Sequence, residues 1–299
     1  MRKVVVTGAA GGLATRMLPA LRERYELVLL DVTQTARKGG VVEDVIVADL
    51  MERDRDCYRE YFRGADAVVH CAYRRVDRSD MEKHFSTEMD NITMAYNLYQ
   101  ICLEEGIRRA VVLSSNHAAD FYEELIWGGK MEMVTSGMQP LSNNIYGWAK
   151  ASYEHLGFVF ATGGRTHSMH PPRRRRPQPS QRPKLENIQI RIGNVNEHYI
   201  ERFGAEDLAQ MHRYLGAYLS QRDQVQLIVK SIETQDIADE YGVPFHIFYG
   251  ISGNAHRFWS IANAKKVIGY EPEDDSQLLF AEGIARITTA VQSAVKGSG

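Results

Sequence analysis

The chain has 299 residues, 44% hydrophobic and 25% charged, with a formal net charge of −2. That length suits one α/β domain with a real core, and the charge balance gives no global signal for nucleic acid or a membrane surface. No run approaches the ~18 uninterrupted apolar residues of a membrane span, and the start lacks an apolar signal region with a cleavage site, so a cytoplasmic protein is expected.

Residues 4–6 are a run of valines, β-branched as a buried parallel strand requires. Gly8 and Gly11 follow where the chain must turn tightly, and a helix is expected from Gly12. Amides at such a helix N-terminus bind phosphate, so the pattern fits a pyrophosphate. Ala14, the third small position, still lets helix and strand pack closely. A second strand, 27–30, ends in Asp31, about 20 residues beyond the glycines, where an acid bonds ribose hydroxyls and repels a 2′-phosphate. NAD is therefore expected over NADP.

Three further strands continue the pattern. Residues 45–48 end at Asp49-Leu50, 67–69 at His70-Cys71-Ala72, and 110–113 run into Ser114-Ser115-Asn116-His117. Polar strand ends place a site along one edge of an open α/β sheet. Between the last two, residues 81–105 read as a helix that stops at Gly106. Phe85, Met89, Ile92, Ala95, Tyr99 and Cys102 form its apolar stripe, and Leu98, Ile101 and Leu103 lie elsewhere, so burial on two sides is expected. Cys57, Cys71 and Cys102 read as reduced, small apolar residues in or beside the core. The histidines show no ligand spacing with thiols or carboxylates, and no metal site is expected.

Tyr146 and Lys150 stand one helical turn apart, on a helix continuing through Tyr153, Leu156 and Phe160. A phenol titrating near ~10 is a poor base at neutral pH, and lowering it by ~3 units takes roughly 4 kcal/mol. A neighbouring ammonium together with a cofactor's positive ring can meet that demand. Residues 165–184 then carry seven Arg or Lys, five prolines and no acid. Such a segment reads as an extended excursion from the fold before the strand at 188–190. A neutral insertion, an acidic-partner contact and nucleic-acid binding all compete as explanations. The last is disfavoured because no aromatic residues interleave the charges.

The start Thr7-Gly8-x-x-Gly11, then Asp31, Asp49-Leu50, Ser115 and Tyr146-x-x-x-Lys150 stand in the order and spacing of the extended short-chain dehydrogenase/reductase superfamily, which the chain resembles over most of its length. Within it the chain resembles uronate dehydrogenases, through Ser114 to His117, Arg191-Ile192-Gly193, Arg213, His256 to Ser260 and Ile268 to Asp275. The resemblance implies a Rossmann-type doubly wound parallel sheet with a small C-terminal substrate-binding lobe. Residues 1–164 would be mainly the cofactor-binding and catalytic part, and 185–299 the last strands and the lobe.

It also implies a site. Gly8, Ala10, Gly11, Gly12, Leu13, Asp31, Asp49, Leu50, His70, Ala72 and Asn91 would serve NAD, together with Tyr146 and Lys150. Ser115, Tyr146 and Lys150 would be catalytic. Arg75, Ser115, Asn116, His117, Asn194 and Arg213 would hold a small sugar, oxidised at its anomeric hydroxyl to a lactone. Two departures stand out: Asn194 replaces a small residue, and the subfamily's substrate-contacting serine after the fourth strand is replaced near Arg75, within Tyr73-Arg74-Arg75. Arg74 and Arg75 are either solvated loop charges or an anion receptor for an acidic or phosphorylated sugar. A sugar epimerase or dehydratase that retains its NAD, and a cofactor-sensing regulator, remain alternatives. The superfamily pairs the two central helices in dimers, so a homodimer or larger homo-oligomer is expected.

Overall fold

The computed structural model describes residues 1–164 and 184–297. Its strands are β1 (Arg2–Thr7), β2 (Tyr25–Asp31), β3 (Val45–Val47), β4 (Ala67–His70), β5 (Arg109–Ser115), β6 (Glu186–Ile192) and β7 (Phe245–Gly250). They pair in parallel in the order β3-β2-β1-β4-β5-β6-β7. Helices cover both faces, which is why Val4, Val5 and Val6 are all buried, with Val5 opposite Val28 on one side and Val68 on the other. The doubly wound sheet expected from the sequence is the one found; β7 was not foreseen.

Chain order reverses between β1 and β4, and a crevice opens there at the carboxyl ends of the strands. Thr7 Oγ1 and His70 Nδ1, 2.7 Å apart, tie the two strand ends together. The helix Gly12–Arg22 starts directly after the glycines. Met81–Glu104, the long helix, is capped by Asp80, which accepts from the Lys83 amide at 3.0 Å. Ile145–Ala161, the tyrosine helix, is capped by Asn144, which accepts from the Gly147 amide at 2.9 Å. Beyond β6, a separate cluster including Phe203, Met211, Tyr214, Tyr218 and Ile287 forms a small C-terminal core.

Two expectations are corrected. Phe85 and Met89 do not face the core but are 48% and 42% exposed, while Glu88 and Asn91 are buried. The first turns of the long helix present a polar face to the crevice, so their apolar stripe lies outside, where Phe85 stacks on Trp148 at 5.6 Å. Cys57 is exposed, in contrast to buried Cys102 and half-buried Cys71. Apart from Lys184, the basic stretch 165–184 lies outside the described residues.

Candidate active site

The glycine turn has the shape a bound pyrophosphate requires. Gly8 sits at φ +67°, and a Cβ there would come within 2.5 Å of the Ala72 amide nitrogen. The Gly11 amide donates to the Gly8 carbonyl at 2.9 Å, closing the turn into the helix. Asp31 holds this turn in place: one oxygen accepts from the Ala10 amide at 2.9 Å and the other from the Val32 amide at 2.7 Å. These residues open into a cleft of about 1250 Å³, along with Gly12, Leu13, Asp49, Leu50 and Ala72. That exceeds the ~300–1,000 Å³ typical of a drug-sized ligand and leaves room for a dinucleotide beside a second small molecule. The residues present fit NAD.

His70 and Asn91 stand behind the cleft wall rather than in it. Burial pushes His70 down to about 3, so it is neutral against Thr7. Asn91 pins the loop after β4: its Oδ1 accepts from the Arg74 amide at 2.8 Å, and its Nδ2 donates to the Arg74 carbonyl at 3.0 Å. The same Nδ2 reaches Glu88, a fully buried carboxylate, at 3.2 Å.

At the other end of the cleft, β5 delivers Ser115 beside the Tyr146 phenol, close enough for its hydroxyl to pull the phenol's titration down. Gly147 makes this approach possible, because a side chain there would strike the His117 carbonyl and the Ser142 hydroxyl. Lys150 Nζ lies 5.7 Å from the Tyr146 ring centre and donates to the Leu113 carbonyl at 3.1 Å. Burial pushes Lys150 down to about 8, against the opposing pull of Glu88 and Glu154. Burial also raises the Tyr146 phenol, although the Ser115 hydrogen bond and the Arg78 and Arg75 charges pull it down. Among the protein groups alone, burial outweighs these neighbouring donors and cations; the sequence expectation also counts the cofactor's positive ring.

A buried clamp fixes the tyrosine helix to the sheet. Arg191, on β6, donates to the two Glu154 oxygens at 2.9 and 2.8 Å, Ser114 donates to the same carboxylate at 2.6 Å, and Arg191 reaches the Tyr249 hydroxyl at 3.0 Å. Removing one member of such a pair typically costs about 3–5 kcal/mol. Arg191 is therefore a framework residue, and the next residue along β6, Ile192, lines the cleft.

Ser115, Asn116, His117, Asn194, Arg75 and Arg213 all line the cleft. His117 Nδ1 pairs with Asp120 at 2.9 Å, leaving Nε2 as its other polar atom. Burial alone would raise Asp120, but hydrogen bonds from His117, Ser142 and Asn144 hold it below the usual carboxylate range. Asn194 Oδ1 accepts from the Asn196 amide at 3.0 Å. Arg213 makes a two-pronged ion pair with Glu123, at 2.5 and 2.9 Å. Arg74 pairs with Asp90 at 3.2 Å. The sequence reading missed Arg78, whose guanidinium carbon lies 4.6 Å from the Tyr146 ring centre, and Arg37, at the mouth of the cleft. It also missed Tyr73, whose hydroxyl donates to Glu88 at 2.5 Å. The only signal for Arg78 was its place three residues beyond Arg75 in a polar loop. Among the described residues, no group of three or more His, Cys, Asp or Glu is placed to hold a metal ion.

The chain is similar to several known proteins. The chain is 26% identical over 290 residues to an NAD-dependent glucose-6-phosphate dehydrogenase of Haloferax volcanii, covering 94% of this chain and 96% of that one. It is 25% identical to a uronate dehydrogenase of Pseudomonas syringae pv. tomato, covering 94% and 85%. The fold matches the crystal structure of an Agrobacterium tumefaciens uronate dehydrogenase variant complexed with NAD, at a TM-score of 0.68 and 22% identity, over 96% of this chain and 90% of that one. Residues 4–168, more than half of the chain, match the family model described as the NAD dependent epimerase/dehydratase family, and the chain belongs to that family.

Proposed function

We propose that this protein is an NAD-dependent dehydrogenase that oxidises the anomeric hydroxyl of a cyclic sugar to a lactone. The observation that carries the reading is that Ser115, Tyr146 and Lys150 line one cleft with the glycine turn, Ser115 standing at the end of β5 beside the phenol. The names of the relatives at 25–26% identity support a sugar substrate.

In this reading the Gly8, Ala10, Gly11, Gly12 and Leu13 backbone takes the pyrophosphate, Asp31 the adenosine ribose, and Asp49 and Leu50 the adenine end. Bound nicotinamide supplies the hydride acceptor. Tyr146 takes the proton of the anomeric hydroxyl as its carbon gives up hydride, and Ser115 donates to the same oxygen and orients it, which requires contacts near ~3 Å. The two electrons of the C–H bond leave with the hydride, and those of the O–H bond close the carbonyl. Lys150 places a cation beside the phenol and the nicotinamide ribose, and Ala72 forms the adjoining wall. Asn116, His117, Asn194, Arg75 and Arg213 surround the sugar.

The test is a panel of free aldoses, hexuronates and hexose 6-phosphates with NAD, read at the reduced-nicotinamide absorbance. Net NADH in step with lactone is expected. A sugar converted without net NADH would identify an epimerase or dehydratase instead. The long and tyrosine helices also carry Phe85, Met89, Tyr96, Trp148 and Phe158 exposed to solvent, a face that suits pairing with a second copy. Light scattering that reports a monomer at all concentrations would remove the dimer from this reading.

A further inference from the structure

The cationic side chains around the cleft differ in what they face. Arg74 pairs with Asp90 and Arg213 with Glu123, while Arg37, farther from Tyr73 in sequence, has no ion pair among the described residues. Arg75 and Arg78 have no carboxylate within ion-pair distance among the described residues, although both line the cleft beside Tyr146. Asp77, which stands between them in sequence, is turned to its own loop and accepts from the Ser79 amide at 3.0 Å. Both guanidiniums act on the Tyr146 phenol, and Arg75 also feels the positive charges of Arg37 and Arg78.

Arg78 is held in place as well as unpaired. The buried Glu88 accepts from the Tyr73 hydroxyl at 2.5 Å, Arg78 acts on the same Tyr73 hydroxyl, and its guanidinium carbon lies 4.6 Å from the Tyr146 ring centre. Asn91, bonded to Glu88 and to both polar atoms of the Arg74 backbone, fixes the loop from which Arg75 and Arg78 project. Two like charges are thus kept together at the substrate end without a protein counter-charge, an arrangement that an entering anion relieves.

We infer that Arg75 and Arg78 form the receptor for the anionic end of the sugar, and that this anion is a phosphate monoester. Two guanidiniums match the two negative charges of a phosphate near neutral pH, and their planar forks match its oxygens. A carboxylate would neutralise one charge and leave the other. The Arg213 fork, which could have met a carboxylate, is already filled by Glu123. The inference rests on the dehydrogenase reading of the same cleft and narrows its substrate to a phosphorylated sugar.

The experiment compares Arg75→Gln, Arg78→Gln and the double variant with the parent on a hexose 6-phosphate, a hexuronate and a free hexose. The parent should favour the hexose 6-phosphate in kcat/KM. Each single change should raise the ratio of its KM to that for the free hexose by about 10-fold or more, as expected for losing a charged hydrogen bond. NAD affinity, measured by calorimetry, should hold. An equal KM penalty on free hexose would overturn the inference, as would a parent that prefers hexuronate. A loss confined to NAD affinity would overturn it too, because the arginines would then serve the cofactor's phosphates. If the parent makes no NADH from any sugar, the dehydrogenase reading fails, and the receptor is judged by titrating inorganic phosphate into the NAD-saturated protein. Phosphate binding that the double variant abolishes supports the receptor; absent or unchanged binding overturns it.

Discussion

Lys150 offers a direct test of how much stability this fold gives up to bury a cation at the wall of its cleft. The side chain is 5% exposed, and burial takes its titration from the ordinary 10.5 to about 8. At about 1.4 kcal/mol per pH unit, the gap corresponds to about 3 kcal/mol of cost for burying the charge. Between those two values the unfolded chain holds a proton that the native protein lacks, so stability should rise with pH through this window. Below pH 8 both states are protonated and the penalty is present in full. Lys150→Met keeps a long apolar stem and removes the titrating group, so it should flatten that rise. Denaturant unfolding of parent and variant at intervals from pH 7 to 10.5 isolates the contribution, because the other groups are common to both. The parent-minus-variant difference should climb by about 3 kcal/mol toward the alkaline end. At pH 7 the variant loses the bond to the Leu113 carbonyl, which offsets part of its gain but does not change with pH in this way. Parallel curves would refute the reasoning and mean that water or the nearby carboxylates Glu88 and Glu154 keep Lys150 at its ordinary value. If Lys150 has the proposed role, the same variant should also weaken NAD binding and turnover.

Three other outcomes follow from the site. Tyr146→Phe removes the proton acceptor with little change in shape, so turnover should fall by about 100-fold or more while calorimetry shows NAD still bound; near-parental turnover would remove Tyr146 as the base. The parent should bind NAD at least ~10-fold more tightly than NADP, or about 1.4 kcal/mol. Asp31→Ala should narrow that preference, and should also weaken NAD itself because Asp31 holds the Ala10 and Val32 amides. Arg213→Lys breaks a two-pronged pair with Glu123, so KM for acidic and neutral sugars should rise by the same factor; a rise confined to acidic sugars would return the anion contact to Arg213.

The cofactor half of the molecule was legible because its chemistry is local. Three valines, two glycines and an acid at the end of the next strand specify a strand, a turn that a side chain would block, and a carboxylate in the cleft, all within 31 residues. The tyrosine helix was legible for the same reason: its pair lies one turn apart, and Asn144 caps it three residues before Gly147. What escaped was long-range pairing. Nothing in the run around Arg213 announces that Glu123 fills its fork from 90 residues away, and nothing in Phe85 and Met89 announces that Glu88 takes the inner face of their helix.

These misses share a cause that bears on the substrate. Periodicity counts apolar residues and assumes that they turn inward. Around a reaction cleft the inward face is polar, so the rule inverts where the chemistry is. Glu88 has no apolar reason to be fully buried; of its neighbours, Tyr73 and, beyond Tyr73, Arg78 line the cleft, while Asn91 stands behind the cleft wall. A carboxylate buried this deeply is costly unless its hydrogen bonds hold something in place. Here it holds the loop carrying the two arginines that lack acidic partners, and the polar inversion of the long helix thus points to the same end of the cleft as the uncompensated charge.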